Sequence, residues 1–151
     1  MVTQRRDCMT VTITNRQRKR KINSRLLKKI VGTLLTELDI QETELGINLV
    51  AASEMALVNE TFLQHKGSTD VITFNYSDKT EGTFLRGEFF VCVDEAFLQA
   101  RKYGTNWQSE VVRYIVHGVL HLLGHDDLKS NLRRKMKREE NRLVRLLAKR
   151  F

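Results

Sequence analysis

The 151-residue chain has no proline and only two cysteines, Cys8 and Cys92. Without proline or a low-complexity segment there is no obvious linker. Residues 1–151 are therefore expected to form a single domain, long enough to bury a proper core. Two thiols require no disulfide, so a reducing, cytoplasmic setting is expected, with no disulfide-linked partner. No apolar run reaches the ~18 residues of a membrane-spanning helix, which argues against a membrane role. The first residues are basic with no apolar stretch behind them, so they do not read as a secretory signal. Aromatic residues are only 7% of the chain, too few to suggest a platform for stacking bases.

Basic residues are plentiful, and their placement is uneven. The net charge of +8 divides into +6 over residues 1–22, −6 over residues 23–127 and +8 over residues 128–151. An acidic middle between two basic ends suits a cation in the centre and a polyanion held by the ends, which points to nucleic acid.

Four segments read as strands and five as helices, an α+β chain. Residues 10–15 alternate Val11 and Ile13 with threonines, and residues 46–52, 71–74 and 87–93 are short apolar runs. A basic loop spans residues 16–21, and a polar loop spans 75–82. Asn23 is placed to cap a helix over residues 24–38. Ser53 is placed to cap a second, carrying Met55, Leu57, Val58, Phe62 and Leu63. Asp94 is placed to cap a third, which Gly104 ends. Thr105 with Gln108 gives a capping-box pattern for a fourth. That fourth helix is apolar nearly all round, which predicts burial at the centre of the domain. Residues 131–150 read as an amphipathic helix with Met136, Leu143, Leu146 and Leu147 facing inward.

The fourth helix carries His117-Gly118-Val119-Leu120-His121-Leu122-Leu123-Gly124-His125-Asp126-Asp127. Residues four apart share a helix face, so the His117 and His121 imidazoles can meet one metal ion. Gly124 is the residue type that ends a helix, and the chain can then return Asp127 to the same place. His125 is the better zinc donor by type but directly follows the turn. Asp127 has the spacing of the third ligand in H-E-x-x-H-x-x-G-x-x-H proteases and is favoured. Three protein ligands leave a position for water, the catalytic arrangement, and zinc is the expected divalent ion. In zinc proteases a Glu follows the first His and acts as base. Here Gly118 stands there, so protease chemistry is disfavoured. Asp126, His125 and Glu88 are candidate bases by residue type alone.

This run resembles the signature H-G-x-L-H-L-x-G-Y-D-H of the YbeY family of bacterial endoribonucleases. Residues 59–74, ending Thr69-Asp70-Val71-Ile72-Thr73-Phe74, are similar to the family's N-x-x-Y-R … T-D-V-L-S-F segment, and residues 87–91 resemble its G-D-I-x-I strand. The resemblance covers residues 49–127. It implies a small mixed sheet against the metal helix, a zincin-like scaffold, with His117, His121 and Asp127 as ligands of one divalent metal, usually zinc. It further implies a cytoplasmic single-strand-specific endoribonuclease. The implied task is maturation of the 3′ end of 16S rRNA and ribosome quality control, with ribosomal RNA and the small subunit as partners. Asp127 stands where most members have His, His125 where most have Tyr, and Leu63 where most have an Arg near the cleft. His65, Lys66, Thr69, Arg133 and Arg134 are the candidate substrate contacts. A metal-binding, ribosome-associated protein with little nuclease activity is the alternative that Leu63 raises.

Overall fold

In the computed structural model, residues 9–77 and 84–151 are described. Cys8 and residues 78–82 of the expected polar loop lie outside them. The four strands are β1 (Met9–Asn15), β2 (Glu42–Val50), β3 (Val71–Asn75) and β4 (Phe84–Cys92). They form one sheet in the order β1-β2-β4-β3. β1, β2 and β4 run parallel, and β3 runs antiparallel to β4 at the edge. The mixed four-stranded sheet is thus present.

Side chains alternate between its faces, because successive residues of a strand point opposite ways. Leu45, Ile47 and Leu49 of β2 and Leu85, Phe89 and Val91 of β4 are buried on one face. Glu44, Asn48, Arg86 and Glu88 occupy the other. The β2 strand begins earlier than its apolar run because those outward positions are polar. Continuous hydrophobicity locates only its last residues.

Five helices accompany the sheet: α1 (Ser24–Glu37), α2 (Ala52–Val58), α3 (Val93–Tyr103), α4 (Trp107–Leu122) and α5 (Ser130–Arg150). Asn23 caps α1 as expected, its Oδ1 accepting from the Leu26 amide at 3.0 Å. Gly104 ends α3 with φ +68°, a conformation that costs glycine little. The main core joins the buried faces of α1, α4 and α5 to the sheet. A second, smaller cluster places Met55 and Val58 of α2 against Ile72 and Cys92. The strand register puts Ile72 with Phe90, on the face opposite Phe89. α2 therefore covers one end of the otherwise open face.

Three caps differ from expectation. Ser53 lies inside α2, whose Ala52 amide instead donates to Asp94 Oδ2 at 2.7 Å. Asp94 therefore serves α2, and α3 starts two residues earlier than expected, at Val93, without a side-chain cap. α4 is capped by Asn106, which accepts from the Ser109 amide at 2.8 Å, while Thr105 Oγ1 bonds Glu110. A cap needs an acceptor close to the free amides, and tertiary proximity supplied a better one at 42 residues' separation in α2. The second helix also changes course. After Val58 it widens into a π-type turn, Asn59–Leu63, and Leu57, Phe62 and Leu63 face solvent.

Candidate active-site cleft

The α4 helix touches the sheet on one side and borders an open cleft on the other. Two glycines allow the close approach. A Cβ on Gly118 would lie 3.1 Å from the ring of the fully buried Phe89. A Cβ on Gly87 would lie 2.8 Å from the Phe74 carbonyl oxygen and 3.0 Å from Leu122. Gly118 thus faces packed core, and a glutamate base has no room there.

The opposite side of α4 presents Glu110, Arg113, Tyr114 and His117 to a cleft of about 510 Å³. Gln99 and Tyr103 of α3, Asp70 ahead of β3, Asp127 and the first half of α5 form the remaining wall. The chain reaches α5 through a tight helix end. The His125 amide donates to Leu120 O and the Gly124 amide to His121 O, each at 3.1 Å, with Gly124 at φ +97°. This is the Schellman pattern, which satisfies the last carbonyls and reverses the chain. The expected role of Gly124 is therefore met.

His117 lines the cleft beside a buried acid. Its Nδ1 lies 3.1 Å from Oε1 of Glu140, a carboxylate only 4% exposed. Oε2 of Glu140 accepts from Arg113 Nη1 at 3.2 Å and from Lys137 Nζ at 3.1 Å. Arg113 also donates to Asn141 Oδ1 at 2.8 Å. The Glu140 hydrogen bond raises the His117 pKa against the opposing effect of burial, and the charges of Glu140, Asp70 and Asp127 add to it. Burial pushes the Glu140 carboxyl up, yet hydrogen bonds from His117 and Lys137 outweigh it and hold the group below its ordinary range. A buried charge that keeps several donors in this way is one the fold stabilises as ionised.

The other expected site residues are distributed unevenly. Asp127 lines the cleft, and its main-chain oxygen accepts from Arg133 Nε at 3.1 Å. Arg133 also lines it. His121 is exposed one turn beyond His117 and outside the cleft walls. Among the described residues, no three His, Cys, Asp or Glu side chains form a group that could hold a metal. Asp126 closes its own turn, Oδ1 accepting from the Leu128 amide at 2.7 Å. His125 lies toward α5, where its charge helps to lower the Glu139 pKa, after the larger effect of the Arg142 hydrogen bond.

Glu88 sits on the open face of the sheet, bonded to Asn48 at 2.8 Å and to the Tyr76 hydroxyl at 2.9 Å. It is separated from the cleft by the sheet and cannot be its base. His65, Lys66 and Leu63 are exposed and outside the walls. Thr69 bonds Asp70, and Arg134 bonds Ser130 O along α5.

Glu140 and Arg113 went unrecognised in the sequence. The signal for Glu140 was present: with Met136, Leu143 and Leu147 it completes the buried stripe of α5. An acid inside an apolar stripe is a buried carboxylate in need of partners.

The molecule is a small α+β domain with a histidine–carboxylate pair at the wall of an open cleft. The family model for Endoribonuclease YbeY matches residues 12–148, and the chain belongs to that family. It is 34% identical over 139 residues to the Endoribonuclease YbeY of Chlorobium phaeovibrioides, covering 92% of this chain and 91% of that protein. It is 32% identical over 133 residues to that of Aquifex aeolicus, covering 87% and 89%. Proteins bearing this name are hydrolases that act on RNA. The fold is similar to the solution structure of TM1509 from Thermotoga maritima, with TM-score 0.68 and 22% identity over 91% of this chain and 89% of that one.

Proposed function

We propose that this chain is a metal-dependent, single-strand-specific endoribonuclease. Its proposed task is cytoplasmic maturation of the 3′ end of 16S rRNA on the small ribosomal subunit, with a part in ribosome quality control. The observation that carries the reading is the cleft itself, where His117, tied to buried Glu140, faces a wall holding both Asp127 and Arg133.

The donor chemistry suits a divalent cation, zinc first. A histidine whose Nδ1 donates to a carboxylate offers Nε2 to a ligand, the usual support of a metal-bound imidazole. His117, His121 and Asp127 would hold the ion, with His121 and Asp127 drawn in from the positions described. When bound, the ion would supply a Lewis acid and an activated water.

The remaining work falls to the chain. Arg133 is anchored through Nε, which leaves its terminal nitrogens for a phosphodiester oxygen. Lys137 and Arg113 add positive charge at the same wall, where negative charge grows during phosphoryl transfer. These groups compensate for Leu63, which stands in an exposed turn. α5 would hold the RNA backbone without reading sequence.

Purified protein should cut single-stranded RNA, spare duplex RNA and lose activity with chelator. Cleavage that persists after both His117 and His121 are replaced by Ala would identify a contaminant and sink this reading. The Leu63 position supports a second reading, a metal-binding ribosome-associated protein with little catalysis. Small-subunit binding without cleavage would select it. A metalloprotease is not supported, because Gly118 packs on Phe89.

A further inference from the structure

We propose that Glu140 is a positioning residue: its buried carboxylate holds the His117 proton on Nδ1 and thereby presents Nε2 to the cleft. The proposal deepens the reading of His117 as a metal-site histidine and rests on it for its function, though not for its geometry.

A neutral imidazole has two tautomers, and the partner of one nitrogen decides which is populated. An ionised carboxylate can only accept hydrogen bonds. With Oε1 at 3.1 Å, Nδ1 must therefore be the donor. The arrangement works only while Glu140 stays ionised. Its second oxygen secures this, because Arg113 and Lys137 both donate to Oε2. Arg113 is itself held by Asn141, one residue beyond Glu140. His117 and Arg113 belong to α4, whereas Glu140, Lys137 and Asn141 belong to α5. The orientation of a cleft group on the central helix is thus imposed by the last helix.

Glu140→Gln is the decisive variant because it keeps the shape and changes the pattern of donors. The amide oxygen is drawn to Arg113 and Lys137, which leaves the NH₂ group toward His117. Nδ1 must then accept, and the proton moves to Nε2, where it blocks a ligand. The measurement is nitrogen-15 NMR of the histidine rings in metal-free protein at alkaline pH, alongside zinc affinity by competition with a chelator. The wild type should show protonated Nδ1. Glu140→Gln should invert the tautomer and weaken zinc binding by about 10- to 100-fold, the range for removing such a supporting partner. Glu140→Ala, read by the same spectrum, should also lose the Nδ1–H form and covers the case in which the Gln protein does not fold.

A variant that keeps protonated Nδ1 and wild-type zinc affinity, with only its stability lowered, would overturn the proposal and leave Glu140 a structural residue. Tautomer inversion in a protein whose wild type binds no zinc would support the positioning role while defeating the metal reading above.

Discussion

The two basic regions of this chain, the loop 16–21 and α5, engage their cations to different extents. In the loop 16–21, Arg16 pairs with Glu54, and Lys19 lies 3.7 Å from Asp94. The Arg20 guanidinium stacks 3.6 Å above the Phe97 ring and is also close to Trp107. Gln17, buried, bonds Asn15 and the Arg20 carbonyl and so shapes the loop. Three of the loop's five cations are therefore held by the protein. On α5, in contrast, Lys135, Arg138, Arg145, Lys149 and Arg150 have no ion-pair partner among the described residues. Arg138, Arg145, Lys149 and Arg150 share a shallow groove of about 580 Å³ with Arg142. Charge counted along a sequence is not charge offered to a partner. Among the described residues, the cations without an ion-pair partner are thus concentrated on the last helix, with Arg18 and Lys21 remaining in the loop.

Replacing Arg138, Arg145, Lys149 and Arg150 together by Gln should give the largest effect. If each neutralises one phosphate, single-strand RNA affinity falls by about 100-fold at physiological salt and the salt slope flattens by about three units. Fluorescence anisotropy over a salt series would measure both. Unchanged affinity would break the contrast from the α5 side.

Arg20→Ala should act on stability instead. Loss of the stacked guanidinium and its packing is expected to cost roughly 1–2 kcal/mol in urea unfolding, with RNA affinity retained. An RNA defect at normal stability would show that the loop is a binding surface after all. A double-mutant cycle on Arg16 and Glu54 should return less, on the order of 0.2–1 kcal/mol, because the pair is partly exposed. Arg18 and Lys21, changed together to Gln, test the loop's two remaining cations. Their expected effect is the smallest, a change in RNA affinity under about threefold in the same anisotropy assay. A larger loss would return part of the polyanion site to the N-terminal region.

The same distinction explains which features were readable beforehand. Alternation in the first strand, short apolar runs in the other three and helical spacing located four strands and five helices, since each depends on which positions are apolar. Asn23, Gly104 and Gly124 were legible because each acts on its own few residues. Ser53 and Asp94 were misread because the acceptor that serves α2 comes from a distant part of the chain, and Thr105 because the adjacent Asn106 takes the cap of α4. The second helix was expected to carry Phe62 and Leu63, but it widens after Val58 into a π-type turn in which both are exposed. Glu88 looked as suitable a base as any acid near the motif. Only the strand pleat, which points it away from α4, removes it.

Within the site, the sequence alone determined the His117–Asp127 run, its helix and the glycine turn after it, for these follow from local backbone preference. It also determined the family, through residue order. The tertiary structure decided what those residues meet. It set Gly118 against Phe89, which excludes a glutamate for want of space. It brought Glu140 from α5 to His117 across 23 positions of sequence. Among the described residues it also left more cations unpaired on α5 than in the loop 16–21, because a cation's availability depends on the acids and rings that folding places beside it, and no linear pattern records those neighbours.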